Sequence, residues 1–191
     1  MGDTALVTGS PTRVDDVAAA LEQAGFSVIR VPGPEDLGAA CAGIEPGTLA
    51  CYVQLPKETK VDSPSLIGRV RQFLAEGLLA RFEAAATVVP LMTKDGCVVL
   101  VAGNLPGAAT PDDRHARIDL LRVLARAVLA ECDGNDVRAV VVGNDRSAAD
   151  IADLVLRRGD EASRKAAEVA AIGDMNYADW QREFLSLTTE E

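Results

Sequence analysis

Short runs of consecutive apolar residues alternate along this chain with longer segments in which apolar residues recur every three or four positions. The short runs are typical of buried strands, and the longer segments are typical of helices with one apolar face. Turn residues, such as the GSP at 9–11 and the PGP at 32–34, separate them. Five strands are predicted: Thr4–Val7, Ser27–Val31, Leu49–Leu55, Cys97–Ala102 and the run VRAVVVG at 137–143.

Helices are predicted between these strands. The first carries apolar residues at helical spacing from Val14 to Leu21 and ends at Gly25. The others are predicted over Glu35–Ile44, Ser65–Leu91, Asp112–Cys132 and Ser147–Arg157. Strands alternating with helices predict a three-layer α/β/α sandwich, in which helices cover both faces of a parallel sheet.

The chain of 191 residues is long enough for one domain with a sizeable core. That domain is predicted to cover residues 1–173. Residues 174–191 are predicted to form a helical tail, which places four large apolar residues on one side of a short helix: Tyr177, Trp180, Phe184 and Leu187.

Charge and composition exclude several classes of function. The net charge of −10 argues against nucleic-acid binding, which requires clustered Lys and Arg. No apolar run is long enough to span a bilayer, and the first ten residues lack the pattern of a signal peptide, so we expect a cytoplasmic protein without membrane contact. Four scattered cysteines and a single histidine predict buried reduced thiols and no metal site.

Four segments, in order, resemble the short-chain dehydrogenase/reductase (SDR) family. They are ALVTG, FEAAATVVPLMTKDGCVVLVAG, LLRVLARAVLAECDGNDVRAVVVGN and SAADIADLVLRRGD, and the likeness covers Thr4 to about Asp160. It implies a Rossmann-like parallel sheet. The stretch from Pro32 to Gly47 has room for only one short helix, so the family's third strand is expected to be absent here. The resemblance then implies a strand order of 2-1-3-4-5, with Thr4–Val7 at the centre of the sheet; flavodoxin-like folds share this order.

The first strand and helix align with the family's cofactor-binding turn, Thr-Gly-x-x-x-Gly-x-Gly. Thr8 and Gly9 match it, whereas the later glycines fall near Thr12 and Val14. In the family these glycines let backbone N–H groups approach the cofactor's pyrophosphate. The resemblance therefore implies that Val14 fills part of the cofactor's space.

Four residues of this turn are nevertheless candidates for holding a phosphate: Gly9, Ser10, Thr12 and Arg13. The alternative interpretation is that Ser10 or Thr12 caps the helix, with Asp15 and Asp16 complementing its dipole. We expect no cofactor, and NAD(P) is the alternative if the turn still binds phosphate.

The resemblance also implies where the family's catalytic Tyr, Lys, Ser and Asn would fall. These positions hold, in that order, Arg114, Ile118, Gly103 (or Ala102) and a residue near Gly77. None of them can transfer a proton as the family's tyrosine does, so no catalytic residue is predicted. Histidine is the side-chain type whose unperturbed pKa lies near neutrality, but at His115 a solvated surface histidine is favoured over a general base.

The helices Ser65–Leu91 and Asp112–Cys132 carry more apolar residues than one buried face requires. On the second helix, Leu121 lies on one apolar face, and Val123 and Ala127 lie on another. An apolar surface this wide predicts a partner, and the family pairs these helices in dimers. We expect a homodimer, or a heteromer with an SDR homologue, through these two helices. The alternative is that both faces are buried within one subunit.

Two classes of function follow. The favoured hypothesis is an SDR-like pseudoenzyme that acts as a binding or structural subunit of an oligomer. It accounts for the simultaneous loss of the glycines, the catalytic residues and the family's third strand. The alternatives are an NAD(P)-dependent oxidoreductase with a rebuilt site and a nucleotide-binding sensor.

Overall fold

Five parallel strands form one sheet at the centre of the structure, a computed structural model that describes residues 3–57, 63–72, 75, 77, 79–103, 111–132 and 137–157. The strands are β1 (Thr4–Thr8), β2 (Ser27–Val31), β3 (Leu49–Gln54), β4 (Met92–Val101) and β5 (Arg138–Val142). Their order is β2-β1-β3-β4-β5, which confirms the predicted order and direction. The predicted central position of β1 is wrong: β3 lies in the middle, because β4 and β5 both add on its far side.

Helices connect successive strands. They are α1 (Pro11–Gln23), α2 (Leu37–Ala42), α3 (Leu66–Gln72), α4 (Ala80–Val88), α5 (Pro111–Glu131) and α6 (Ala148–Leu156). The helix predicted over Ser65–Leu91 corresponds to α3, α4 and a short 3₁₀ turn at Val89–Leu91, where Pro90 prevents the α-helix from continuing. The predicted tail at 174–191 lies outside the described residues.

The helices form two layers, one on each face of the sheet. Helices α1 and α6 pack together on one face, and α2, α4 and α5 pack on the other. Successive strand side chains enter opposite clusters: Leu6 lies with α5 residues, whereas Ala5 and Val7 lie with α1 residues. The three-layer α/β/α prediction is confirmed.

The end of α1 follows the sequence prediction. Gly25 has φ +94°, and its N–H donates to the carbonyl oxygen of Glu22 over 3.0 Å. The N–H of Phe26 donates to the carbonyl oxygen of Leu21, also over 3.0 Å. This pair of hydrogen bonds terminates a helix by satisfying its last carbonyl groups, and it uses glycine at the left-handed position.

Strand β4 begins earlier than predicted. The strand was predicted to start at Cys97. Instead Met92 already pairs with Leu49 of β3, and regular pairing resumes between Cys97 and Cys51. The ladder is irregular between these two points, because β4 advances by more residues than β3. Asp95 and Gly96, which precede the predicted start, lie within this irregularity.

Candidate functional site

All five strands end at the same edge of the sheet, and that edge holds the predicted cofactor-binding turn. In open parallel sheets, ligands bind outside the carboxyl ends of the strands, at the point where the chain reverses its direction of strand addition. Here that point lies between β1 and β3. A cofactor would therefore be expected to bind between the ends of β1 and β3.

Gly9 has a structural reason to be glycine at this point. Its φ is +138°, and a Cβ atom placed on it would lie 2.6 Å from Cβ of Leu55 and 2.8 Å from the carbonyl oxygen of Leu55. The N–H of Leu55 donates to the carbonyl oxygen of Thr8 over 2.8 Å, which holds the two chains together. The chain at Gly9 and the chain at Leu55 therefore approach too closely for a side chain at position 9.

Ser10 is the N-cap residue of α1, but its side chain makes no capping hydrogen bond. Its carbonyl oxygen instead accepts the N–H of Val14 over 2.9 Å. Ser10 therefore occupies the N-cap position, as the alternative interpretation expected, but its side chain does not cap the helix; Thr12 is an exposed residue inside the helix. Asp15 lies beyond the first turn and approaches Arg30 of β2 at 3.7 Å, so it does not complement the helix dipole as expected.

Val14 is fully buried, in the cluster that joins α1 to the sheet. Its side chain fills the contact between helix and sheet. The third glycine of dinucleotide-binding turns permits close helix–strand packing at such a position. Val14 therefore packs in the core between α1 and the sheet, beneath the turn.

Arg13 ties the start of α1 to the turn that follows β5. One terminal nitrogen, Nη1, donates to the carbonyl oxygen of Asn144 over 2.9 Å and also to its side-chain Oδ1. The other, Nη2, donates to the carbonyl oxygen of Arg146 over 3.0 Å. A guanidinium group has five N–H donors in a fixed fork, and here that fork is directed at protein acceptors. Arg13, predicted as a phosphate ligand, therefore donates its hydrogen bonds to acceptors of the protein itself.

Beside this turn lies a buried polar network that the sequence analysis did not identify. Gln54, at the end of β3, is 3% exposed; its amide nitrogen donates to Oη of Tyr52 and to the carbonyl oxygen of Arg81, each over 3.0 Å. Arg81 returns two hydrogen bonds, from Nε to Oε1 of Gln54 over 2.7 Å and from Nη2 to its carbonyl oxygen over 3.1 Å. Oη of Tyr52 also lies 3.2 Å from Oγ1 of Thr8.

The network joins the carboxyl ends of β1 and β3 to α4. Burial raises the pKa of Tyr52, because the ionised phenolate would lose its solvation. The only feature of the sequence that could indicate this network is the polar Gln54 near the end of the apolar run LACYVQL. A buried amide of this kind is stable only when its donors and acceptors are satisfied, as they are here.

The positions aligned with the family's catalytic residues do not form a proton-transfer group among the described side chains. Gly103 follows β4 at the carboxyl edge, and Gly77 lies between α3 and α4. Ile118 is half-buried on α5 and packs against the core. The side chains of Arg114 and His115 lie outside the described residues, so the interpretation of His115 stays a prediction.

Metal binding and membrane spanning find no support in the described part of the chain. No group of three or more His, Cys, Asp or Glu side chains there could hold a metal ion. All four cysteines are buried thiols, as predicted. Within the same residues, no helix combines the length and apolar character needed to cross a bilayer.

Comparison with known proteins identifies the fold. No family model and no curated protein matches this sequence. A double mutant of the short-chain dehydrogenase/reductase from Serratia marcescens superposes with a TM-score of 0.59 at 14% identity, over 86% of this chain and 92% of that chain. The chain has the SDR fold.

Two further solved structures agree. A Burkholderia multivorans protein described as a short-chain alcohol dehydrogenase gives a TM-score of 0.57 at 14% identity, over 83% of this chain and 92% of that chain. A Corynebacterium glutamicum protein described as an SDR gives 0.53 at 17% identity, over 91% and 95%. Identities this low show the fold alone, which is what the four quoted segments implied.

Proposed function

We propose that this protein is a non-catalytic relative of the SDR enzymes that acts as a binding or structural subunit. The observation that carries the proposal is that residues of the predicted cofactor-binding turn contact other parts of the same chain. Arg13 binds acceptors of the turn after β5, and Gly9 packs against Leu55. Val14 is part of the core. Gly9, Arg13 and Val14 therefore make contacts within the protein itself at the turn where the family binds a pyrophosphate.

The residues aligned with the catalytic set support the same proposal. Reduction of a carbonyl requires a group that gives a proton to the substrate oxygen as hydride arrives. Ile118 and Gly103 have no titratable side chain, and a guanidinium such as that of Arg114 does not release its proton near neutral pH. The aligned positions therefore offer no general acid.

A binding role requires a surface, and the proposed one is formed by the helices of residues 65–91 and 112–132. Among the described side chains of these helices, four large apolar ones are exposed: Ile67 (67%), Leu79 (56%), Val123 (54%) and Leu129 (38%). Leaving such a side chain in water forfeits about 1.5–3 kcal/mol relative to burial. A second copy, or an SDR homologue, would cover this outer surface.

The two apolar faces predicted for α5 have different roles. Leu121, Leu124 and Val128 are buried against the sheet, with at most 3% exposure, so they belong to the subunit core. Val123 and Ala127 face outwards. Leu121 is therefore a poor choice for testing assembly, because a charge there would unfold the subunit.

The experiment is a turnover assay. Purified protein is incubated with NADH or NADPH and a panel of aldehydes and ketones, and the absorbance of the reduced cofactor is followed. We expect no oxidation above the rate without protein. Steady oxidation that is lost on substituting Arg114 or His115 would support the alternative of an oxidoreductase with a rebuilt site.

A further inference from the structure

The outer edge of β2 has no neighbouring strand in the described part of the chain. β2 is the first strand in the order β2-β1-β3-β4-β5, so only its inner edge is paired. The chain between β2 and β3 is described throughout, and it forms the 3₁₀ turn Pro34–Asp36 and the helix α2 but no strand. This edge of the sheet is therefore open to a further strand.

The register of β2 determines which of its backbone groups face outwards. The N–H of Ser27 donates to the carbonyl oxygen of Asp3 over 2.9 Å, so the polar groups of Ser27 point toward β1. Successive residues of a strand direct these groups to opposite edges. Those of Ile29 therefore also point inwards, and those of Val28 and Arg30 point outwards. Among the described residues, nothing forms a hydrogen bond with these outward backbone groups.

Carboxylates surround the open edge. On the α1 side, Arg30 forms ion pairs with Glu22, at 2.7 Å, and with Asp15, at 3.7 Å. Two carboxylates exceed the single positive charge of the guanidinium group. Glu35 and Asp36 add two more in the turn that follows the strand, and both are exposed. The edge therefore carries an excess of negative charge, which attracts a basic partner.

The two faces of β2 determine the side-chain pattern of a complementary strand. Val28 packs against the cluster that joins α1 to the sheet, whereas Ile29 packs against the cluster on the opposite face. In an antiparallel pair, the residues opposite Val28 and Arg30 would exchange backbone hydrogen bonds with them and place their side chains on the same face. Basic side chains there would lie beside Glu22 and Asp15. An apolar side chain between them would cover Ile29.

We propose that the outer edge of β2 binds an extended segment of a partner protein, in which basic and apolar residues alternate, as an added antiparallel strand. In this mode of recognition, backbone hydrogen bonds provide affinity and alternate side chains provide specificity. A second copy of β2 would instead bring the same excess of carboxylates to both sides of the pair, which is unfavourable. The surface is formed by β2 and not by the helices proposed for assembly, so the proposal does not rest on that assembly or on loss of catalysis.

A fluorescein-labelled peptide in which lysine alternates with valine tests the proposal by fluorescence anisotropy. We expect saturable binding that weakens as salt is added, because salt screens exposed charges. A peptide with glutamate in place of lysine should not bind. Methylating the backbone nitrogens of the lysines should weaken binding roughly tenfold or more, because those N–H groups would face β2. Methylating those of the valines, which would face away, should leave binding unchanged.

Two variants of the protein locate the site. Val28→Pro removes an outward N–H, which proline allows at the edge of a sheet, and should weaken binding roughly tenfold while the far-UV circular dichroism is retained. Glu22→Gln should weaken binding by about two- to fivefold, the effect of an exposed ion pair. The matched control is Glu83→Gln, at an exposed position of α4 in the other helix layer, which should leave binding unchanged. If Val28→Pro does not fold, the two methylated peptides decide the question on the wild type.

Three outcomes would overturn the proposal. The first is the absence of saturable binding up to about 1 mM peptide, or equal binding of the two methylated peptides. The second is an equal loss of binding in Glu22→Gln and Glu83→Gln, because the net charge alone would then attract the peptide. The third is a lower particle mass for Val28→Pro than for the wild type in light scattering, which would assign the edge of β2 to a second copy.

Discussion

Replacing Gly9 with alanine tests whether this glycine serves the protein's own packing. At φ +138° an alanine is strained, at a cost of about 1–3 kcal/mol. Its Cβ would lie 2.6 Å from Cβ of Leu55 and 2.8 Å from a backbone oxygen, and neither atom can rotate away. Forcing an extra methyl group into a packed interior adds about 1–3 kcal/mol. Gly9→Ala should therefore lower the free energy of unfolding by about 2–6 kcal/mol.

Gly25→Ala is the matched control. Gly25 also has a positive φ, of +94°, but a Cβ there would meet no atom within 4 Å. Only the conformational strain applies, so the expected loss is about 1–2 kcal/mol. Urea denaturation followed by circular dichroism measures both variants. Equal losses would refute the reasoning, because the close approach of Leu55 would then contribute nothing.

Two further predictions concern the buried network and the outer surface. Tyr52→Phe should lower the free energy of unfolding by about 1–3 kcal/mol at neutral pH, since it leaves an amide N–H of Gln54 without its acceptor. Burial raises the pKa of Tyr52, so as the pH rises this tyrosine ionises first in the unfolded chain, near pH 10. The stability of the wild type should therefore fall above pH 10, by up to about 1.4 kcal/mol per pH unit. Denaturation measured from pH 8 to 11 should show this loss in the wild type and not in Tyr52→Phe. Val123→Asp should reduce the particle mass in light scattering while the subunit stays folded, whereas Leu124→Asp, at a buried position, should unfold it. A wild-type protein that is monomeric throughout would contradict the assembly proposal.

The positions of the strands could be predicted because each is a local apolar run, and their order was implied by the resemblance to the SDR family. Apolar runs mark buried strands, and Gly25 ends α1 by a mechanism that its neighbours determine. The start of β4 could not be predicted in the same way. Met92 joins the sheet by pairing with Leu49, a distant residue, and the local sequence favours a turn instead.

The candidate site was predicted less completely, since its contacts join distant parts of the chain. Arg13 was a reasonable phosphate ligand from its position, but its acceptors belong to Asn144 and Arg146. Likewise the hydrogen bonds of Gln54 to Arg81 depend on how α4 packs against β3. The spacing of neighbouring residues in the sequence does not determine such distant hydrogen-bond partners.

The measurement that tests the central claim most directly is the melting temperature of the wild type and of Arg13→Met, each with and without NADH or NADPH. If the turn serves packing, neither dinucleotide should raise the melting temperature of the wild type, and the substitution alone should lower it because it removes the hydrogen bonds to Asn144 and Arg146. A functional site at 100 times its Kd would instead stabilise the protein by roughly 2.7 kcal/mol. A rise of that size, abolished by Arg13→Met, would contradict the account.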